Sequence, residues 1–270
     1  MSDVARLYDQ DPEREWRRLA ADPYSSLEFL VTMHYIRRHF RGSGRVLDAG
    51  GGPGRYAIEL CRSGYDVVLL DPSSRVIDVA REKFEPEPPD VRRRLTAAVV
   101  GDVRDLSQLD SDSFDAALCL DPLSYLPDAS DRSEAIRELI RVCKHEAIVC
   151  LSARGYLAVL RTLLARFRDQ LIGPEIELLA SHGNSACGGV LCHFYRADEL
   201  RQLAESCGLH TLDMAGCEGL SASLPEATNL LAQDEAAWQR WVELVLETSD
   251  EPAVVDMAEH ILYVGQVAKA

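Results

Sequence analysis

Apolar segments alternate with amphipathic ones along the chain from residue 45 onward. Segments with a mostly apolar interior lie at 45–48, 66–71, 95–100, 114–120 and 147–151, and segments with apolar residues at helical spacing separate most of them. Strands that are apolar on both faces are typical of a parallel sheet, whose right-handed crossovers are helices. The pattern predicts an α/β fold in which helices cover both faces of the sheet.

The first 43 residues have a helical pattern instead. Asp11 and Pro12 predict a helix start, and Ser25 with Glu28 has the spacing of a capping box for a second helix that runs to about Phe40. This second helix is apolar over most of its circumference, which indicates that it is covered on two sides. We expect residues 1–43 to form a helical cap over a ligand.

A glycine-rich turn follows the first predicted strand. Glycine is needed where a ligand approaches the backbone closely. A dinucleotide-binding fingerprint that starts at Gly50 would place glycine or alanine at position 55, which is Arg55. The spacing therefore disfavours an NAD-dependent oxidoreductase, although a glycine-rich turn can join any strand to a helix.

Acidic residues follow the predicted strands at Asp48, Asp71, Asp102 and Asp121. The carboxyl ends of parallel strands meet at one edge of a sheet, where α/β proteins bind their ligands. Four carboxylates there would repel one another unless the ligand brings positive charge and hydrogen-bond donors. The alternative is that some of them are helix caps or turn residues, above all Asp121 before Pro122.

Residues 45–128 resemble the class I S-adenosylmethionine-dependent methyltransferases, because the D-x-G-x-G-x-G turn and the acids after three strands match the motifs of that family. The resemblance implies a Rossmann-like sheet of seven mostly parallel strands, with an antiparallel last strand near 259–268. It implies a cofactor domain at 44–270 with cap insertions at about 153–195 and 219–257. It also implies that S-adenosyl-L-methionine binds at Asp48, Gly50, Gly52, Gly54, Asp71, Asp102, Val103, Leu120 and Asp121.

Composition narrows the choice of partner. The formal net charge is −15 and the sequence pI is about 4.9, whereas a general nucleic-acid binder needs a basic surface. The same charge disfavours an anionic membrane surface. Long apolar segments and a basic-then-apolar leader are absent from the sequence. We expect a soluble, cytoplasmic protein that acts on a small molecule and not on nucleic acid or a membrane.

Methyl transfer is an in-line displacement, so the protein must align the acceptor, exclude water and remove a proton where the acceptor carries one. Histidine is the common base for a hydroxyl acceptor. The candidates are His193, which follows a glycine-rich segment, and His34 in the second helix, with His182 third. A packing role is the alternative for each. Tyr8, Tyr24 and Tyr125 could supply an aromatic wall near the methyl group.

Several functional alternatives stay open at this point. The sequence does not rank O- against N-methylation, and a binding module that keeps the cofactor site without catalysis fits the same motifs. Cys187 and Cys192 lie in the glycine-rich segment and suggest a thiol or metalloid acceptor, whereas no cysteine spacing predicts a metal site. Trp238 and Trp241 on one predicted helix suggest an interface with a second copy of the chain.

Overall fold

The central sheet explains the alternation of apolar segments. The structure is a computed structural model that describes residues 3–187 and 189–269, with the side chain of Cys187 outside the described part. The strands are β1 Arg45–Ala49, β2 Asp66–Asp71, β3 Leu95–Val100, β4 Phe114–Leu120, β5 Cys143–Arg154, β6 Asn184–Cys187, β7 Val190–His193, β8 Leu209–Gly216 and β9 His260–Val267.

Helices connect the strands and cover the sheet. They are α1 Asp3–Gln10, α2 Arg14–Arg18, α3 Pro23–His39, α4 Arg55–Arg62, α5 Ser74–Phe84, α6 Pro89–Arg92, α7 Ala129–Val142, α8 Tyr156–Arg166, α9 Pro174–His182, α10 Ala197–Cys207, α11 Pro225–Leu231, α12 Glu235–Thr248 and α13 Pro252–Met257. Short 3₁₀ turns lie at Pro122–Tyr125, Arg168–Leu171 and Gly219–Ser221.

Seven strands form one sheet in the order β3-β2-β1-β4-β5-β9-β8. Strands β1 to β5 are parallel, and β9 runs antiparallel to both of its neighbours. Val46 and Leu47 of β1 are both fully buried, on opposite faces of the sheet. The predicted Rossmann-like sheet and its antiparallel last strand are therefore confirmed.

The order of the strands reverses between β1 and β4. From β1 the chain proceeds to β2 and β3 on one side, and it then returns to place β4 and β5 on the other side. Crevices form at such reversal points, outside the carboxyl ends of the strands. The glycine-rich turn after β1 and the Asp121 turn after β4 lie next to each other there.

The N-terminal cap differs from the sequence prediction in its helix starts. The first helix is α1, and Asp11 with Pro12 forms the turn before the short helix α2. Helix α3 begins at Pro23, and the carboxylate of Asp22 accepts a hydrogen bond of 2.7 Å from the Ser25 backbone N–H. The predicted capping box at Ser25 is wrong because proline already fixes the first turn and Asp22 caps it.

The segment 219–257 packs behind α3. Asn229 accepts a hydrogen bond of 2.9 Å from the Tyr24 backbone N–H. The rings of Trp238 and Trp241 pack against the core of their own chain, and the Trp241 indole donates to Ser221 Oγ at 2.8 Å. Packing within the chain thus explains both tryptophans without a second copy.

None of the helices in residues 3–187 and 189–269 combines the length and the apolar character that crossing a lipid bilayer requires.

Candidate active site

A cavity of about 390 Å³ lies at the carboxyl ends of β1, β2 and β4, under the N-terminal cap. Eight of the nine predicted cofactor residues line it: Asp48, Gly50, Gly52, Asp71, Asp102, Val103, Leu120 and Asp121. The ninth, Gly54, is instead the N-cap residue of helix α4 and has a left-handed φ of +82°. It packs against Leu69 and Phe84, so it shapes the turn without facing the cavity.

The glycine turn needs its glycines for two different reasons. Gly50 has a φ of +78°, and a side chain there would place Cβ 2.3 Å from Pro122 Cγ. Gly52 has a φ of +55° and open space in front of its Cβ position. The turn therefore packs closely against the β4 side at Gly50 and leaves room for a ligand at Gly52.

Two buried carboxylates lie beneath this turn. Asp71 accepts hydrogen bonds from the backbone N–H groups of Gly52 at 3.1 Å and Ser73 at 2.9 Å. Asp48 is 1% exposed, and its Oδ2 has no hydrogen-bond partner among the described residues. Burial and the Asp71 charge raise the pKa of Asp48 to about 7, and burial raises that of Asp71 to about 6. Among the described residues, no arginine, lysine or histidine forms a salt bridge with either carboxylate.

Asp102 is fixed by a different kind of interaction at the end of β3. Its two oxygens accept hydrogen bonds from the Arg104 guanidinium at 2.9 and 2.6 Å, and Arg104 also donates to Asp131 at 2.5 Å. The hydrogen bond from Arg104 holds the pKa of Asp102 below its usual value. Val103 lies between them and is buried.

Asp121 occupies the turn after β4 with a φ of +77°, which is strained for a residue other than glycine. Arg154 donates to its Oδ2 at 2.6 Å, whereas its Oδ1 is buried and has no hydrogen-bond partner in the described chain. Arg154 also donates to the hydroxyl of Tyr125 at 2.5 Å, and that hydroxyl lies 2.7 Å from the Tyr8 hydroxyl. Tyr8 and Tyr125 line the cavity as predicted, but Tyr24 does not.

The cap supplies a charged wall that the sequence analysis missed. Arg18 and Glu28 both line the cavity and form a bidentate salt bridge, with N–O distances of 2.5 and 3.1 Å. His260 lies behind them, with Nδ1 at 3.3 Å from Glu28 and 2.7 Å from Glu218. Burial alone would raise the pKa of Glu28, but the charges of His260 and Arg18 lower it to about 2. The side chain of Glu28 is therefore ionised at neutral pH.

The predicted histidine bases are not at the cavity. His193 is 2% exposed, and its ring nitrogens lie 2.7 Å from Asn184 Oδ1 and 2.6 Å from Glu199 Oε1. His34 is exposed on α3, and His182 is exposed near the end of α9. With both nitrogens of His193 occupied and the cavity elsewhere, the geometry gives a packing role to His193 and no contact with substrate to the other two.

The cysteine alternative receives no geometric support either. Cys192 is fully buried in the small core beneath hairpin β6–β7 and does not line the cavity. The side chain of Cys187 lies outside the described residues. Among the described residues of hairpin β6–β7, only the apolar Val190 and Leu191 line the cavity.

Comparisons with known proteins agree with this site. A family model described as a methyltransferase domain matches residues 46–146. Glycine/sarcosine N-methyltransferase from Aphanothece halophytica is 32% identical over 137 residues, but the match spans only 49% of that enzyme and 50% of this chain. Ubiquinone biosynthesis O-methyltransferase from Methylocella silvestris is 31% identical over 198 residues, which span 70% of that enzyme and 65% of this chain.

The chain belongs to the class I S-adenosylmethionine-dependent methyltransferase family. The fold of a solved S-adenosylmethionine-dependent methyltransferase from Methanosarcina mazei agrees, with a TM-score of 0.61 at 20% identity over 87% of this chain and 98% of that one. The cofactor of this methyltransferase is S-adenosylmethionine, and its cavity fits that molecule. Asp48 Oδ2 and Asp121 Oδ1 are buried without hydrogen-bond donors among the described residues, and the ligand can supply these donors. The acidic lining suits a sulfonium cation.

Proposed function

We propose that this methyltransferase methylates a nitrogen or oxygen atom of a small-molecule acceptor, which binds between the cap wall and the cofactor. The observation that carries the proposal is the single cavity shared by both sets of residues. Eight of the predicted cofactor residues line the same cavity as the wall of Tyr8, Arg18, Glu28 and Tyr125. A cavity of about 390 Å³ is of the size that takes small ligands.

We assign the cofactor residues by their match to the motifs of the family, whose members hold the ribose and the adenine with acids at these positions. Asp71, which is buried and accepts two backbone hydrogen bonds, would hold the ribose hydroxyls. Asp102 and Val103 would contact the adenine, and Asp48, Leu120 and Asp121 would surround the methionine part. When bound, the cofactor supplies an electrophilic methyl group on a sulfonium centre. The chain contributes orientation, exclusion of water and a field of carboxylates around the positive charge.

The matched relatives include one named for N-methylation and one named for O-methylation, which supports both acceptor atoms. The net charge of −15 supports a small acceptor over nucleic acid. The cytoplasmic location and the oligomeric state stay predictions from composition.

The test is label transfer from trideuteromethyl S-adenosylmethionine to a defined library of amines, phenols, alcohols and carboxylic acids, read by mass spectrometry. We expect labelled products with the wild-type chain. Asp71→Ala should weaken cofactor binding, measured by calorimetry, whereas Asp78→Ala on the exposed side of α5 serves as the control. Tight cofactor binding with no labelled product from any library member would contradict the proposed function.

A further inference from the structure

The cavity lacks a side chain that could remove a proton from a hydroxyl acceptor. Among its described lining residues none is histidine, lysine or cysteine. The Tyr8 and Tyr125 hydroxyls bond to each other, and burial raises the pKa of both. Asp48 has a raised pKa, but its carboxyl packs directly beneath the Gly51 backbone on the cofactor side. The cap carboxylate Glu28 is held by Arg18 and has a lowered pKa, so it is a weak base for a hydroxyl proton.

The same lining also disfavours an anionic acceptor. Nine of the described lining residues are aspartate or glutamate, against three arginines. Two of those arginines are paired with carboxylates, Arg18 with Glu28 and Arg104 with Asp102, and Arg55 lies over the Trp16 ring. A carboxylate or a thiolate would therefore enter a cavity with an excess of negative charge.

Next to Glu28, the side chain of Tyr56 has a hydroxyl group without a hydrogen-bond partner among the described residues. Tyr56 is 6% exposed and lines the cavity beside Glu28. Its hydroxyl makes no hydrogen bond of normal geometry to a described residue, although Thr32 lies nearby. A buried hydroxyl without a partner costs free energy, so it marks a place where a ligand can satisfy it.

We propose that the methyl acceptor is a primary or secondary amine and that Glu28 and Tyr56 receive its N–H groups. This inference rests on the proposed function and names its acceptor class. Arg18 and His260 keep Glu28 ionised and fix its orientation, and Glu218 holds His260 in place from behind. Glu218 is itself fixed by the backbone N–H groups of Glu259 and His260, at 2.9 and 3.0 Å.

An amine suits a site of this kind because its uncharged form, which arises when the ammonium ion loses a proton to water before binding, needs no base during the transfer. The nitrogen lone pair forms the N–C bond to the methyl carbon, and the electron pair of the broken C–S bond stays on sulfur. The nitrogen ends with the positive charge that the sulfonium carried, and one N–H proton is later lost to water. A nearby carboxylate stabilises the positive charge as it develops on nitrogen.

The first experiment locates the label within the library products. We expect the trideuteromethyl group on the nitrogen of amines and not on phenols, alcohols or carboxylic acids. Label on oxygen would overturn this inference while leaving the proposed function intact. Absence of label from every product would instead overturn both, so the two failures are distinguishable.

The second experiment tests the residues with the amines of the library. Glu28→Gln keeps the size of the side chain and removes its charge, and we expect kcat/KM for amines to fall about 10- to 100-fold. Tyr56→Phe removes only a hydroxyl that has no hydrogen bond of normal geometry to a described residue, and we expect a loss of about two- to tenfold. The cofactor Kd should change less than about twofold in both variants.

The matched control is Glu138→Gln. Glu138 also bonds to an arginine, Arg141, at 2.7 and 2.8 Å, but it lies on α7 outside the cavity. We expect its kcat/KM to equal that of the wild type. Unchanged kcat/KM in a folded Tyr56→Phe variant, together with equal losses in Glu28→Gln and Glu138→Gln, would overturn the assignment of Glu28 and Tyr56 to the acceptor.

Discussion

The guanidinium of Arg55 lies 4.2 Å from the centroid of the Trp16 ring and donates a hydrogen bond to the Trp16 carbonyl oxygen. Arg55 is the first residue of α4, directly after the glycine turn, and Trp16 belongs to α2 of the cap. The residue that disfavours a dinucleotide fingerprint is thus one that attaches the cap to the cofactor turn.

We expect Arg55→Ala to loosen the cap. The lost cation–π contact and hydrogen bond should lower the free energy of unfolding by about 1–2 kcal/mol. Limited proteolysis should then cleave the chain within α1 and α2 sooner than in the wild type, and KM for the acceptor should rise. Arg240→Ala, whose partners Glu243 and Glu247 lie on its own exposed helix, is the control. Equal cleavage rates in both variants would contradict the attachment role.

Cofactor binding should release protons near pH 6.5. Asp48 and Asp71 have pKa values of about 7 and about 6 in the free protein, so both are partly protonated there. A sulfonium cation favours their ionised forms, and binding should release on the order of half a proton. Calorimetry in phosphate and imidazole buffers measures this from the difference in binding enthalpy.

The matched ligand for that measurement is S-adenosylhomocysteine, whose sulfur is neutral and which should release fewer protons. Asp48→Asn should remove most of the release. Identical enthalpies in the two buffers for wild-type protein would show that these carboxylates do not face the cofactor charge.

His260 should make the stability of the fold sensitive to alkaline pH. Burial alone would lower its pKa, but Glu28 and Glu218 raise it to about 9 from an ordinary value of 6.5. A raised pKa stabilises the fold below about pH 6.5, and this contribution is lost as the pH rises through 9. The free energy of unfolding should fall by on the order of 2 kcal/mol between pH 7 and 10.

Denaturant titrations across this pH range check the expectation. His260→Gln should lose this part of the pH dependence, whereas exposed His182→Gln should retain it. A wild-type curve that matches the His260→Gln curve would mean that His260 is neutral at pH 7.

We expect His193→Ala to affect stability and not chemistry. The imidazole bonds to Asn184 and Glu199 in the buried base of hairpin β6–β7, and its loss removes one hydrogen bond from each of them. The free energy of unfolding should fall by about 2 kcal/mol. At temperatures where the variant is folded, kcat and the cofactor Kd should stay within about twofold of the wild type. A large loss of kcat in a folded variant would restore His193 as the base.

The cofactor side of the site could be predicted from sequence because its geometry is local. A buried strand followed by glycines fixes both where the turn lies and which side chains precede it, and parallel strands bring Asp48, Asp71 and Asp121 to one edge. Hydrophobic patterning reports such relationships directly. The motif includes Gly54, but this residue caps helix α4 and does not line the cavity, which spacing alone does not distinguish.

The charged wall of the cap could not be predicted because Glu28 and its partner His260 are far apart in sequence. Glu28 was assigned to a capping box, and no local pattern connects it with His260 at the start of β9. His193 lies in a polar, glycine-rich segment that suggests a loop, yet the segment forms a hairpin that buries it. Pairings across the fold depend on tertiary packing, which periodicity does not describe.

The contact between Glu28 and His260 also sets an order in which the enzyme is completed during synthesis. Every residue assigned to the cofactor has left the ribosome soon after position 121, but the wall that faces the acceptor is held by a side chain near the C-terminal end of the chain. The side chain that holds Glu28 in place is therefore synthesised after every residue assigned to the cofactor.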